Sequence, residues 1–224
     1  GLCDSEHAVR EAAAGSFKTL ERNIGTQAVQ EIAPALLQLM RSADAAEVAQ
    51  GQSGLRELVS QRPHAVVPFL LPQLSKTPVS LPHARALTAV ASVAGASLHT
   101  HLDLCLPALL ASLYLEAELA EADGKPNDVE LRDALLEAAS TVALAVEDDG
   151  MHFLMSVLVG ACAAKSPPHV RVGGAALLGL LCKESDVDLA EYQHTLLTMA
   201  ISMLGAQSQP VLRAGHAALD TLVK

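Results

Sequence analysis

The chain contains no tryptophan and only three phenylalanines and two tyrosines in 224 residues. So little aromatic surface disfavours a β-sandwich or barrel, whose strands draw on aromatic and β-branched side chains. Basic residues are scarce as well: 15 Lys and Arg stand against 25 Asp and Glu, for a net charge of −10. Nucleic-acid binding depends on Lys and Arg that neutralise phosphates. Here Lys18, Lys76, Lys125, Lys165, Lys183 and Lys224 are scattered along the chain, so no direct nucleic-acid contact is expected. No apolar run reaches the roughly 18 residues that a membrane span needs. Arg132, Glu137 and Glu147 interrupt the most apolar region. The opening residues Asp4, Glu6 and Arg10 leave no room for the apolar centre of a secretory signal. The four cysteines, Cys3, Cys105, Cys162 and Cys182, form no CxxC pair. They read as reduced thiols of a cytoplasmic protein.

Catalytic and cofactor signatures are missing too. The nine histidines form no HExxH pattern. His99-Thr100-His101 followed by Asp103 offers two histidines that would not share a helix face, with no further ligand close by. Gly15-Ser16-Phe17-Lys18-Thr19 lacks the Gly-Lys-Thr order of a phosphate loop and follows no strand. No GxSxG elbow occurs, and no cysteine is accompanied by a His partner in its region. No catalytic residue, metal or cofactor is expected, and the chain reads as a non-enzyme.

What is present is small aliphatic surface and repetition. Half the residues are apolar, chiefly Ala, Leu and Val, which suits close helix packing with ridges set in grooves. A proline inside a leucine-rich helix recurs in Ile32-Ala33-Pro34-Ala35-Leu36-Leu37, Leu71-Pro72-Gln73-Leu74 and Leu106-Pro107-Ala108-Leu109-Leu110. A second set of prolines, Pro82, Pro126, Pro168 and Pro210, stands at or near helix starts with spacings of 44, 42 and 42 residues. Proline is tolerated there because the first helical N–H lacks an intrahelical partner. Inside a helix it removes a hydrogen bond and bends the rod. A bent first helix (A) and a straight second helix (B), repeated at this period, predict an all-α superhelical solenoid of the HEAT and armadillo kind. Such an array builds a long binding surface rather than a pocket.

The expected organisation is a single array over 1–224, with about five helix pairs behind one leading unpaired helix. Its approximate units are 1–25, 26–62, 63–97, 98–149, 150–185 and 186–224, with the first helix expected over about Asp4 to Asn23 and the A helix of the fourth unit over about Leu98 to Ala120. The unpaired first helix is what a piece of a longer array would show. Arg10, Arg85, Arg132, Arg171 and Arg213 occupy the same early position of successive B helices, with Gln50 near the matching place in the second unit. They are expected to form a structural ladder with acidic residues of neighbouring turns. Glu147-Asp148-Asp149 is expected to cap the helix that follows, where negative charge is favourable. The polar insertion 121–128 is the longest break in the repeat, and inserted loops of solenoids often sit on a partner-facing edge. Asp123 and Lys125 within it, with Arg171 and Arg213, are the candidate protein-binding residues.

Several segments resemble one family. They are Val67-Pro68-Phe69-Leu70-Leu71-Pro72-Gln73-Leu74, Pro78-Val79, Val93-Ala94-Gly95, His101-Leu102 and Val146-Glu147-Asp148-Asp149. Pro210-Val211-Leu212, Ala218-Leu219-Asp220, the opening Asp4 to Arg10 and Asn23-Ile24-Gly25 extend the likeness over nearly the whole chain. Together they resemble the C-terminal HEAT array of the general-control translational activators. These are very large ribosome-associated proteins that activate the amino-acid-starvation kinase of initiation factor 2 alpha. The resemblance implies a cytoplasmic scaffold without enzymatic activity, whose partners are the ribosome and the kinase's RWD domain. The family's kinase-docking residues match no position here. The alternative is a generic HEAT adaptor of the importin or phosphatase-scaffold type, although the Trp and Asn ladder of importins is missing. A tubulin-binding module would present Trp and Lys on its loops, which this chain does not.

Overall fold

A computed structural model describes the backbone of residues 1–24, 27–123 and 128–223, and the side chains of 1–19, 30–113 and 128–223. Among them α-helices and short 3₁₀ turns are the regular structure. The first helix, α1 (His7–Ile24), is followed by five pairs: α2 (Gln27–Leu39) with α3 (Ala45–Gln61), α4 (Pro63–Leu74) with α5 (Leu81–Ala94), α6 (Leu102–Asp123) with α7 (Val129–Leu144), α8 (Met151–Cys162) with α9 (Pro168–Glu184), and α10 (Gln193–Leu204) with α11 (Gln209–Leu222). The first members pack on one another in chain order, as do the second members, so the pairs stack into two layers. The chain is an all-α solenoid.

Local sequence explains where the helices begin. Asp44 Oδ1 accepts from the N–H of Ala46 at 2.9 Å and caps α3. Asp128 Oδ1 does the same for Leu131 at 3.1 Å at the head of α7. Helices α4, α5, α9 and α11 carry proline in their first turn instead. Pro126 lies outside the described residues. Pro34, Pro68, Pro72 and Pro107 stand inside α2, α4 and α6. All but the half-buried Pro107 are exposed. The carbonyls that these prolines leave without a donor therefore lie on the outer side of the A layer, toward water.

Two boundaries differ from the sequence reading. The first helix starts at His7 rather than Asp4, whose Oδ1 instead accepts from the N–H of Glu6. The A helix of the fourth unit, expected from Leu98, starts at Leu102 behind the 3₁₀ segment Gly95–His101. The cause is local. Gly95 adopts φ +52°, a conformation that ends α5 and favours glycine. Ser97 Oγ then bonds His64 Nδ1 at 2.7 Å, and His99 is buried.

The core runs unbroken along the stack, with Leu70 and Leu71 of α4, Leu106 and Leu109 of α6, Leu135 of α7 and Leu154 of α8 among its members, none exposed. Each such leucine contributes about 1.5–3 kcal/mol of apolar burial. The B layer is built from smaller residues, such as Ala84, Ala86, Ala89 and Ala91 on α5 and Ala134, Ala138 and Ala139 on α7. Small side chains let these helices approach closely. A Cβ added at Gly215 of α11 would stand 2.8 Å from Met203 Cβ of α10, and one at Gly174 of α9 would stand 2.8 Å from Cys162 Sγ of α8. The turn before α5 is held from within: Ser112 Oγ of α6 accepts from the N–H of Val79 at 2.9 Å and donates to the carbonyl of Ala108 at 2.7 Å.

Candidate protein-docking surface

The repeated arginines lie along the starts of the B helices, but their surroundings differ. Arg85 of α5 pairs with Glu130 in the first turn of α7 and links two consecutive B helices. Both partners keep solvent contact, with side chains 27% and 65% exposed, so the pair is worth about 0–1 kcal/mol. Arg10 turns back on its own helix start, where Nη1 donates to the carbonyls of Asp4 and Ser5 at 2.8 and 2.9 Å. Arg132 and Arg213 are exposed and make no ion pair with the described residues. Arg171 is buried at 8% exposure, near Cys162, and its Nε meets no acceptor. It holds the same place in α9 as Arg85 does in α5. The first turn of α11, however, offers Gln209, Pro210 and Val211 where α7 offers Glu130. Among the described residues no carboxylate meets this guanidinium, and a buried Nε without an acceptor is a cost to the fold.

Of the four candidate binding residues, Arg213 is therefore on the surface and Arg171 is inside. Lys125 and the side chain of Asp123 lie outside the described residues. The stack brings none of the four into a described contact with another.

Beside Arg213, α9 and α11 enclose an open groove of about 370 Å³. Val172, Ala176, Gly179, Ala214, Ala217 and Thr221 line it, and Lys183 and Glu184 stand at one end. The repetition of Ala and Gly at helical spacing was its signal in the sequence, readable only once the two helices are known to be neighbours. A second, more polar cleft of about 300 Å³ lies between α2, α4 and the start of α5. It gathers Arg41, Lys76 and His83 with Gln38 and Gln73. Burial holds His83 below the usual histidine range, and Arg41 and Lys76 push it the same way.

The remaining reactive groups are structural. Burial drives the Cys105 thiol up to about 12 and the Cys162 thiol to about 11, the latter despite the nearby Arg171. Burial raises Cys3 and Cys182 as well. Thiols held neutral in this way are poor nucleophiles. His99, ahead of α6, faces Asp149, ahead of α8, with Nδ1 to Oδ1 at 3.5 Å. Gly150 lies so close that an added Cβ would stand 2.5 Å from the His99 ring. The acidic run before α8 thus forms a short 3₁₀ turn, Asp148–Gly150, that leans on the histidine. Among the described residues no cluster of three His, Cys, Asp or Glu is placed to hold a metal, and no helix is long and apolar enough to cross a membrane.

Comparison with known proteins agrees with this architecture. The family model described as "Stalled ribosome sensor GCN1-like, HEAT repeats" matches residues 66–224. The "Stalled ribosome sensor GCN1" of Mus musculus is 33% identical over all of this chain. The "eIF-2-alpha kinase activator GCN1" of Saccharomyces cerevisiae is 30% identical, again over all of it. The chain spans 8% of the length of these relatives. A designed armadillo repeat protein overlays 99% of this chain and 96% of its own, at 14% identity and a TM-score of 0.37.

Proposed function

The chain belongs to the family of GCN1-like stalled-ribosome sensors built of HEAT repeats, and from that premise we propose that it is a non-enzymatic, cytoplasmic protein-binding scaffold. It acts as one stretch of a longer array that couples starved or stalled ribosomes to the initiation-factor-2-alpha kinase. Its partners are proteins, the RWD domain of that kinase and the ribosome, and it does not bind nucleic acid directly. The observation that carries this reading is the unbroken two-layer stack. An array of this kind offers groove and edge instead of an enclosed reaction site. The net charge of −10 argues the same way against direct RNA contact.

The test is a calorimetric titration of residues 1–224 with the isolated RWD domain. Saturable one-to-one binding, weakened by Arg213→Glu, supports a kinase dock on these helices. No heat from a folded, helical chain overturns it for this segment. Arg213 is the suitable charge reversal because it is exposed, whereas reversing Arg171 would disturb the interior.

A further inference from the structure

The outer face of α8, α10 and the first half of α6 is almost free of charge. Helices α4, α8 and α10, each of 12 residues, contain no Asp, Glu, Lys or Arg at all. In α6 the first half, residues 102–113, contains only Asp103, and Glu116, Glu118, Glu121 and Asp123 follow in the second half. Solvent-facing helices ordinarily carry charge on their outer side. Here four large apolar side chains stand exposed instead: Leu104 at 39%, Phe153 at 39%, Val159 at 43% and Ile201 at 58%. They recur by position. Leu104 and Phe153 are third in α6 and α8, and Val159 and Ile201 are ninth in α8 and α10. Between them the exposed residues of α8 and α10 are small or neutral, among them Ser156, Gly160, His194, Thr198 and Ser202.

The face is also furrowed. A groove of about 300 Å³ runs between α6 and α8, lined by Pro107, Ser156, Val157 and Gly160 among others. Another of about 350 Å³ runs between α8 and α10, lined by Val159, His194, Thr195, Thr198 and Ser202 among others. Contiguous exposed apolar surface of this kind marks interaction sites.

Charge at the border says what fits. The starts of α6, α8 and α10 are acidic and exposed: Asp103 in the first turn of α6, Glu147, Asp148 and Asp149 ahead of α8, and Asp186, Asp188 and Glu191 ahead of α10. No Lys or Arg stands in the segments 95–101, 145–150 and 185–192 that precede these helices. One carboxylate per helix start would satisfy the helix dipole, and α8 and α10 each have at least three. At the other end of α8 the exposed Lys165 has the opposite sign.

We propose that the outer face of α6, α8 and α10 docks a partner helix with an aliphatic or aromatic stripe and a row of Lys or Arg along the flank that meets the acidic border. Such a helix would lie with its apolar side in the grooves beside α8, the helix-in-groove mode of recognition. The face holds no Lys or Arg, so an anionic membrane or an RNA would find no cation on it.

The test uses a fluorescein-labelled, 18-residue amphipathic peptide with Leu at helical i, i+3, i+4 spacing and Lys along one flank. It is titrated into residues 1–224 and followed by anisotropy. The expected result is saturable binding that falls at least tenfold with Ser156→Glu or Ile201→Glu, both at exposed positions, with thermal melting unchanged. Asp148→Lys with Asp186→Lys should weaken binding severalfold, and a peptide with Glu in place of Lys should not bind. Equal binding to all variants, or equal binding of the Glu-flanked peptide, would overturn the proposal. So would flotation of the chain with phosphatidylserine vesicles. A dimer by sedimentation that Ile201→Glu disperses would show that a second copy covers the face instead, and would overturn it too. The outcome is independent of the kinase titration: a chain that ignores the RWD domain and still binds this peptide keeps the surface and loses the kinase.

Discussion

The two helix layers share one interior and face solvent differently. Helices α3, α7, α9 and α11 of the B layer each carry acidic and basic residues, from Glu47 and Arg56 to Arg213 and Asp220. The A helices α4, α8 and α10 carry no such residue. The B layer also packs more tightly, through alanines and through glycines set against the neighbouring A helix. The difference teaches that outward position alone does not fix surface chemistry in this solenoid. The B layer shows a mixed, solvated surface. The A layer, over α8, α10 and the first half of α6, shows the apolar and nearly uncharged surface that elsewhere belongs to interfaces.

That comparison can be broken experimentally, and the largest effects lie in the shared core. Leu71→Ala in α4 and Leu135→Ala in α7 should each cost about 2–5 kcal/mol by chemical denaturation, because both leucines are fully buried. Ile201→Ala on the outer A face should stay within about 0.5 kcal/mol. A core-sized loss at Ile201 would mean that the A face is structural and not presented to partners.

Next come the glycines. Gly215→Ala forces a Cβ to within 2.8 Å of Met203 Cβ and should cost about 1–3 kcal/mol. Gly160→Ala, in α8, meets nothing within 4 Å and should gain about 0.5–1 kcal/mol of helix propensity. Equal effects at the two sites would contradict the closer A–B approach seen at α11.

Alkaline pH gives a third signal, which grows with pH. The Cys105 and Cys162 thiols are raised by burial to about 12 and 11 from an ordinary value of 9.0. An unfolded chain releases these protons first, so the stability they contribute is complete below pH 9 and is lost as pH climbs toward 11 and 12. Each thiol adds a loss of about 1.4 kcal/mol per pH unit within its window. The chain with Cys105→Ala and Cys162→Ala should therefore show a flatter stability profile above pH 9 than the parent.

The smallest effects concern the arginines. Arg85→Ala, which opens the exposed pair with Glu130, should cost less than about 1 kcal/mol. Arg171→Met removes a buried charge that has no carboxylate among the described residues and keeps most of the side-chain volume, so it should be neutral or stabilise by about 1 kcal/mol. A loss of several kcal/mol at Arg171 would reveal a compensating contact.

The repeat architecture was legible because it is written in local signals. Prolines inside leucine-rich helices and prolines at helix starts recur near the same period, and the structure places Pro34, Pro72 and Pro107 inside A helices and Pro82, Pro168 and Pro210 in first turns. What the residues hid depends on register between units. Arg85 and Glu130 are 45 positions apart, and their pairing follows only from the stacking of α5 on α7. The same register gives Arg171 no acidic partner among the described residues, which its sequence context did not reveal. The 3₁₀ entry to α6 was missed because Gly95 looks like an ordinary helix stop, whereas Ser97 and His99 turn to His64 and Asp149, far off in sequence. The uncharged A face was present in the sequence all along. It became meaningful only when the fold showed that these apolar positions point outward.

The most direct test of that face is a methyl NMR titration with the Lys-flanked peptide. The chain has three isoleucines, Ile24, Ile32 and Ile201, and Ile201 alone lies in the region proposed to dock a helix. The expected result is a progressive, saturable shift of the Ile201 δ1-methyl signal while that of Ile32, far off on α2, stays in place. An unmoved Ile201 under conditions where the peptide binds would place the partner on another surface and contradict the division between the layers.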